Sequence, residues 1–243
     1  MEQKSILIVR GGGDLASGVI HRLYCCGYRV LVLECHKPSA IRRKVSFGEA
    51  VFDGTSAVEG VTGRLISDIA DAEKIWEAKE IPILVDETGE TAKKLKPAAL
   101  IDAILAKKNL GTNKDMASLT VALGPGFEAG KDVDFVIETQ RGHNLGRVIR
   151  KGSATPNTGI PGVIAGYGKE RVIHSPAAGI MHNLSQIGDI VEKDQILARV
   201  DDVPVYASLT GVLRGIIRYG YEVPNGMKIA DIDPRQEQKK NCD

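Results

Sequence analysis

Residues 5–34 read SILIVRGGGDLASGVIHRLYCCGYRVLVLE, and this stretch decides the fold class. Ser5–Arg10 is a β-branched and aliphatic run, the pattern of a strand buried on both faces. Glycines follow directly. Leu15, Val19, Ile20 and Leu23 then recur at helical spacing until Gly27 stops the helix. Tyr28–Leu33 is a second apolar run, and it ends in Glu34. A strand, a glycine turn, a helix and a second strand within about 30 residues make a βαβ unit. The turn reads Gly11-x-Gly13-x-x-Ala16, with Glu34 about 20 residues further on, which is the dinucleotide-binding fingerprint. Gly11 permits a sharp turn, Gly13 lets main chain approach a pyrophosphate, and Ala16 allows close helix–strand packing. The expected phosphate site is the whole turn, Gly11, Gly12, Gly13, Asp14, Leu15 and Ala16, with Glu34 accepting from a ribose. The alternative is a plain α/β turn without a ligand, where Asp14 caps the helix and its charge opposes a nearby phosphate.

The middle of the chain continues the alternation. Residues 49–53 (EAVFD), 81–86 (IPILVD) and 99–105 (ALIDAIL) read as short strands, the last ambiguous with a helix, and 68–79 reads as a helix with Ile69, Ala72, Ile75 and Trp76 on one face. The expected fold is α/β: a Rossmann-like, mainly parallel, doubly wound sheet. Asp86 falls where strand C-terminal ends gather and is a candidate catalytic acid, with Asp102 near it; the alternative for Asp86 is a helix cap or turn acid. Arg42 and Arg43 follow Glu34 closely enough to meet a ribose phosphate or second anion, or they form a solvated basic turn. Strands at 119–123 and 133–138 flank Gly124-Pro125-Gly126, and Gly124 and Gly126 are expected to meet the distal part of the ligand, near Asp86 and His143. After them comes RGHNLGR, where Arg141, His143, Asn144 and Arg147 concentrate donors among small residues. Such a loop suits an anion, with His143 available for proton transfer; the alternative is a hairpin loop with a satisfied histidine. Gly152–Gly168 reads as an ordered functional loop or an interdomain connection.

Residues 175–201 align without a gap to 207–233, an offset of 32 that matches Gly179 to Gly211, Gly188 to Gly220, Val191 to Val223 and Asp201 to Asp233. Two such halves about a pseudo-twofold axis resemble the barrel-sandwich hybrid of biotinyl and lipoyl domains. Carrier function does not follow, because the junction 200–204 (VDDVP) holds no lysine to modify. A docking or lid module is the better expectation, with His174 and His182 as surface or strand histidines. The domain bounds expected are 1–165 for the nucleotide-binding domain, 166–235 for the small all-β domain, and 236–243 for a polar, frayed tail.

Composition narrows the classes further. The 243 residues carry 32 Lys+Arg against 31 Asp+Glu, so no basic field marks a nucleic-acid or acidic-membrane binder. Glycine is abundant at 27 residues, which calls for tight turns and close backbone approaches. Cys25, Cys26, Cys35 and Cys242 make neither a disulfide framework nor a C-x₂-C metal pair, so a reducing compartment and no metal are expected. The N-terminus lacks a secretory signal and no run is long enough to span a bilayer, so the expectation is a soluble, cytoplasmic protein.

IVRGGGDLASGVIHRL, SAIRRKVSFGEAVFDG, RGHNLGRVI…PNTGIPG and SPAAG, in that order, resemble the YqeB-type accessory proteins of selenium-dependent molybdenum hydroxylases. The resemblance implies a cytoplasmic maturation factor whose partner is a molybdenum hydroxylase apoprotein, and it assigns no residue roles of its own. The nucleotide-type cofactor is NAD(P) or a molybdopterin dinucleotide, which share the pyrophosphate that the fingerprint reads. A non-enzymatic scaffold and an NAD-dependent oxidoreductase of a small molecule stand as alternatives. Whether the chain catalyses a reaction, and whether it forms a homo-oligomer, stay open.

Overall fold

The computed structural model describes residues 5–159 and 161–242, so Ile160, inside the expected 152–168 loop, and the ends of the first domain and of the tail lie outside it. The chain divides into two compact units. The first runs to Pro38 and resumes at Ser46–Thr158. The second takes Ser39–Val45 and the chain from Gly159.

The first unit is built on strands β1 (Ile6–Arg10), β2 (Arg29–Glu34), β3 (Thr55–Val58), β4 (Val61–Ile66), β5 (Ile81–Val85), β6 (Ala99–Asp102) and β7 (Thr120–Leu123). The short β8 (Glu128–Ala129), β9 (Phe135–Ile137), β10 (Val148–Ile149) and β11 (Gly152–Ser153) follow. The helices are α1 (Asp14–Cys25), α2 (Ala50–Asp53), α3 (Ala72–Glu77) and α4 (Glu90–Leu95). Nine strands form one sheet in the order β10-β9-β7-β6-β1-β2-β5-β4-β3. All neighbours pair in parallel except β3 with β4 and β10 with β9 at the two edges. The fold is therefore mixed α/β on a mainly parallel sheet. Alternate residues explain the apolar runs: Val9, Val32, Ile83 and Ile101 pack with Ala16, Ile20 and Phe47, while Ile8, Leu31, Leu33 and Leu100 pack with Ala72, Ala92 and Met116. β1 lies between β2 and β6, so the chain winds away from it in both directions. Such a switch point leaves a crevice outside the carboxyl ends of the strands.

Two local expectations are corrected, and one hairpin is added. EAVFD is not a strand: Phe47–Glu49 is a 3-10 turn leading into α2. Phe47 and Ala50, one turn apart, are both fully buried, and Gly54 at φ 77° ends the helix. The run 99–105 stops at Asp102, whose carboxyl is drawn into a buried polar network. The hairpin β3–β4 was not expected; its two-residue turn, Glu59-Gly60, has positive φ at both positions, which suits the strand twist.

The second unit holds β12 (Val172–His174), β13 (Gly179–Asn183), β14 (Ile190–Val191), β15 (Ile196–Val200), β16 (Val203–Tyr206), β17 (Gly211–Ile216), β18 (Glu222–Val223) and β19 (Lys228–Asp233). They form two four-stranded sheets, β12-β19-β17-β14 and β16-β15-β13-β18. The offset of 32 seen in the sequence also relates the starts of β13 and β17, β14 and β18, and β15 and β19. Met181, Leu197, Val200, Leu213, Ile229 and Ile232 belong to its core. The segment 39–45 completes the unit: Ile216 N donates to Ile41 O at 2.9 Å, and Arg43 Nε donates to Ile216 O at 2.9 Å. The C-terminal residues, expected as a frayed tail, instead form a 3-10 turn, Gln236–Asn241, and bury Cys242 in this core. No helix among the described residues is long and apolar enough to cross a membrane.

Candidate functional site

The carboxyl ends of β1, β2 and β5 open into a cleft of about 640 Å³ lined by Arg10, Gly11, Glu34, Cys35, Asp86 and Glu87, with Ile104 and Gly111 on the β6 side. The glycine turn shapes its upper edge. Gly11 sits at φ 94°, and a Cβ there would lie 3.0 Å from the backbone of Ile104. Gly12 is approached by the protein's own chain: its carbonyl accepts from Gly48 N at 2.8 Å, Ser46 Oγ at 2.7 Å and Ser17 Oγ at 3.1 Å. A Cβ on Gly12 would come within 2.8 Å of Gly48 N, whereas one on Gly13 would meet nothing within 4 Å. Gly13 is the N-cap of α1, in extended backbone without a side-chain cap. It offers open space to a phosphate at a helix N-terminus. Asp14 Oδ1 lies 2.9 Å from Leu15 N, Leu15 is exposed, and Ala16 is fully buried against the strands.

Glu34 ends β2 with both oxygens engaged: Oε2 accepts from Gly12 N at 2.6 Å and Oε1 from Cys35 N at 2.7 Å. Each carboxylate oxygen keeps further acceptor capacity for a sugar hydroxyl. Beside it, burial pushes the Cys35 thiol up to about 12, reinforced by the charges of Glu34 and Glu87, so at neutral pH the cleft holds a thiol and not a thiolate.

Asp86 stands at the end of β5 and caps α4. Its Oδ1 accepts from Gly89 N at 2.8 Å and Glu90 N at 3.2 Å, and its Oδ2 from Thr91 N at 2.7 Å. Burial pushes this carboxyl up, but the amide bonds outweigh it and hold Asp86 below the usual range. The side chain is an ionised cap in this arrangement, the alternative that the sequence left open.

Beneath the cleft lies a network the sequence did not announce. Arg10 is 1% exposed and donates to Thr112 Oγ1 at 2.5 Å and to Glu87 O at 2.7 Å. Thr112 Oγ1 in turn donates to Asp102 Oδ2 at 2.5 Å, which stands 3.7 Å from the Arg10 guanidinium. Burial pushes the Asp102 carboxyl up, against the lowering effect of Thr112, Arg10 and the Ile104 amide. A charged residue closing the run ILIVR was the visible signal for Arg10; nothing in the sequence pointed to Thr112.

The other expected site residues of the first unit beyond the glycine turn are not among the residues lining this cleft. Arg42 and Arg43 belong to the second unit, where Arg43 holds β17. Gly124 and Gly126 have φ of 76° and 110° and make close packing: a Cβ on Gly124 would lie 2.7 Å from Thr139 Oγ1, and one on Gly126 2.6 Å from Lys108 N. Arg141, His143 and Asn144 sit on an exposed loop, 140–147, with Asn144 Oδ1 3.4 Å from the Arg147 guanidinium. That loop is pinned at its base by buried Glu138, which accepts from Gln140 N, Thr155 N and Thr155 Oγ1 at 2.7–2.8 Å. Among the described residues there is no group of three or more His, Cys, Asp or Glu placed to hold a metal ion.

No family model matches the chain. It is similar to the "Uncharacterized protein YqeB" of Escherichia coli (strain K12), 51% identical over 232 residues, which cover 96% of this chain and 43% of that relative. The chain thus spans less than half the length of the curated relative it matches. Among solved structures, an aspartoacylase family protein from Mesorhizobium loti aligns at 12% identity over 96% of this chain and 86% of that chain, with a TM-score of 0.30. The product-bound ectoine utilization protein EutE (DoeB) from Ruegeria pomeroyi aligns at 13% identity over 84% of this chain and 57% of that chain, with a TM-score of 0.27. At those scores neither alignment bears on fold or function. Along 96% of its length, then, the chain is of YqeB type.

Proposed function

We propose that the first unit binds a nucleotide-type cofactor carrying a free ribose 2′-hydroxyl, NAD or a molybdopterin dinucleotide, and that the chain serves in the cytoplasm as a maturation factor for a selenium-dependent molybdenum hydroxylase. One observation carries the binding half: Glu34 ends β2 inside a cleft at the switch point, with its carboxylate 2.6 Å from the amide of the glycine turn. The acid accepts ribose hydroxyls, the open backbone at Gly13 receives the diphosphate, and the cleft wall takes the nucleoside. Charge favours NAD over NADP. Glu34, Asp86, Glu87 and Glu90 line the cleft against Arg10 and Lys93, so a 2′-phosphate would enter a carboxylate-rich wall. The maturation role and the hydroxylase partner rest on the family resemblance.

The second unit supports a docking reading. Its two four-stranded sheets and 32-residue repeat fit a barrel-sandwich hybrid, and Leu184, Tyr206 and Tyr219 are more than half exposed on it. Calorimetric titration with NAD, NADP and cytidine nucleotides tests the binding half. NAD or a cytidine nucleotide is expected to bind more tightly than NADP; heat from none of them, with the folded protein verified, refutes it.

A further inference from the structure

The two walls of the cleft are each closed on themselves. On one side Asp86 gathers the amides of residues 89–91. On the other, Asn109 Oδ1 accepts from Gly111 N and Thr112 N, both at 2.8 Å, and its Nδ2 donates to Thr112 O at 2.8 Å. Two small turns, each closed by its own hydrogen bonds, therefore flank the cavity, and Met116 packs beside Gly89 between them. Arg10 reaches both. Its guanidinium donates to Glu87 O on the first wall and to Thr112 Oγ1 on the second, and Asp102 stands behind with the balancing charge. The fit is close: Gly89, at φ 75°, has no room for a Cβ, which would lie 3.3 Å from Arg10 Nε and 2.7 Å from Met116 Cε. A planar guanidinium with several donors in fixed directions can span two partners and still face a carboxylate, which a lysine ammonium cannot do in the same geometry.

We propose that Arg10 is a positioning residue of the cleft: by tying the 86–90 wall to the 109–112 wall through Glu87 and Thr112, it fixes the width into which the nucleoside fits. This rests on the nucleotide reading above for its ligand, and on the geometry alone for the tether. A buried ion pair is weak evidence of stability in itself.

Thr112→Val removes the bridging hydroxyl while keeping the volume and the backbone bonds to Asn109; Thr112→Ser returns the hydroxyl. Amide hydrogen exchange and NAD titration are measured on the full chain. Thr112→Val is expected to raise exchange at 86–90 and 109–112 together and to weaken NAD binding tenfold or more, with Thr112→Ser within about threefold of the parent. Arg10→Lys is expected to match Thr112→Val. Exchange that rises on one wall only, or NAD affinity unchanged in a folded Thr112→Val protein, overturns the tether. If the parent chain binds no nucleotide, the functional reading fails separately, and exchange alone then decides: concerted opening of both walls upholds Arg10, and opening of one refutes it.

Discussion

The two middle positions of the glycine turn carry different burdens, and a single methyl group distinguishes them. At Gly12 a Cβ would collide with Gly48 N, part of the protein's own chain, so Gly12→Ala is expected to cost about 1–3 kcal/mol as overpacking, read as a lower Tm. At Gly13 the space is open and the backbone, at φ −66°, is one any residue adopts. Gly13→Ala is expected to leave Tm within a few degrees while weakening NAD binding, since only a ligand would need that space. Equal effects of the two substitutions on Tm would show the turn to be purely structural. Cys35 offers a second test at this scale. Thiolates and not thiols are alkylated, so with its pKa pushed up to about 12 Cys35 is expected to stay unmodified by iodoacetamide at pH 8 while exposed Cys25 and Cys26 react. Glu34→Gln, which removes the adjacent charge, is expected to speed the labelling of Cys35.

Elements show where sequence reading succeeded and where it ran out. β1, α1 and β2 were legible because every signal, two apolar runs, a glycine turn and a helical period, lies within 30 consecutive residues. EAVFD was misread because a short apolar run has no period of its own; what makes it helical is the burial of Phe47 and Ala50 under the sheet, a tertiary fact. The hairpin at 55–66 was hidden by Gly63, which breaks its alternation. A Cβ at Gly63 would lie 2.8 Å from both Ile83 Cδ1 and Phe47 Cδ1, so the glycine answers to its neighbours and not to its strand. Likewise Arg10 and Thr112 are 102 residues apart, beyond any local pattern. For α4 the sequence offered Asp86 as acid or cap, and the geometry makes it a cap. Asp86→Ala is expected to cost about 1–2 kcal/mol at neutral pH. Because its folded-state pKa is lowered, that contribution is fully present above the unfolded value near 4 and is lost as pH falls from there through the lower folded-state value. Urea unfolding of both proteins at pH 7 and pH 2.5 checks this: the gap should narrow in acid.

At the scale of the whole molecule, the repeat was readable because both halves are contiguous, whereas the capture of residues 39–45 by the second unit was not. SAIRRK carries no apolar period, and its one large apolar side chain, Ile41, looks incidental in a basic turn. In the structure Ile41 extends the pairing of β17: its carbonyl accepts from Ile216 N, and Gly215 is glycine because a Cβ would come 2.9 Å from Ile41 O. The side chain packs against the core of the second unit, in which Ile216 is 1% exposed. That unit is therefore incomplete without a segment lying more than a hundred residues upstream, and its stability should respond to substitutions there. Ile41→Ala is expected to cost about 1–2 kcal/mol, less than a fully buried isoleucine because the side chain is only partly enclosed. The loss should be local. Amide exchange should rise at 212–217 while β1 and β2 keep their protection, and the exposed loop at 140–147 should not change. A rise in exchange across β1 and β2 instead would place Ile41 in the wrong unit. Substitutions in the apparent basic turn would then have to be read as changes to the first unit.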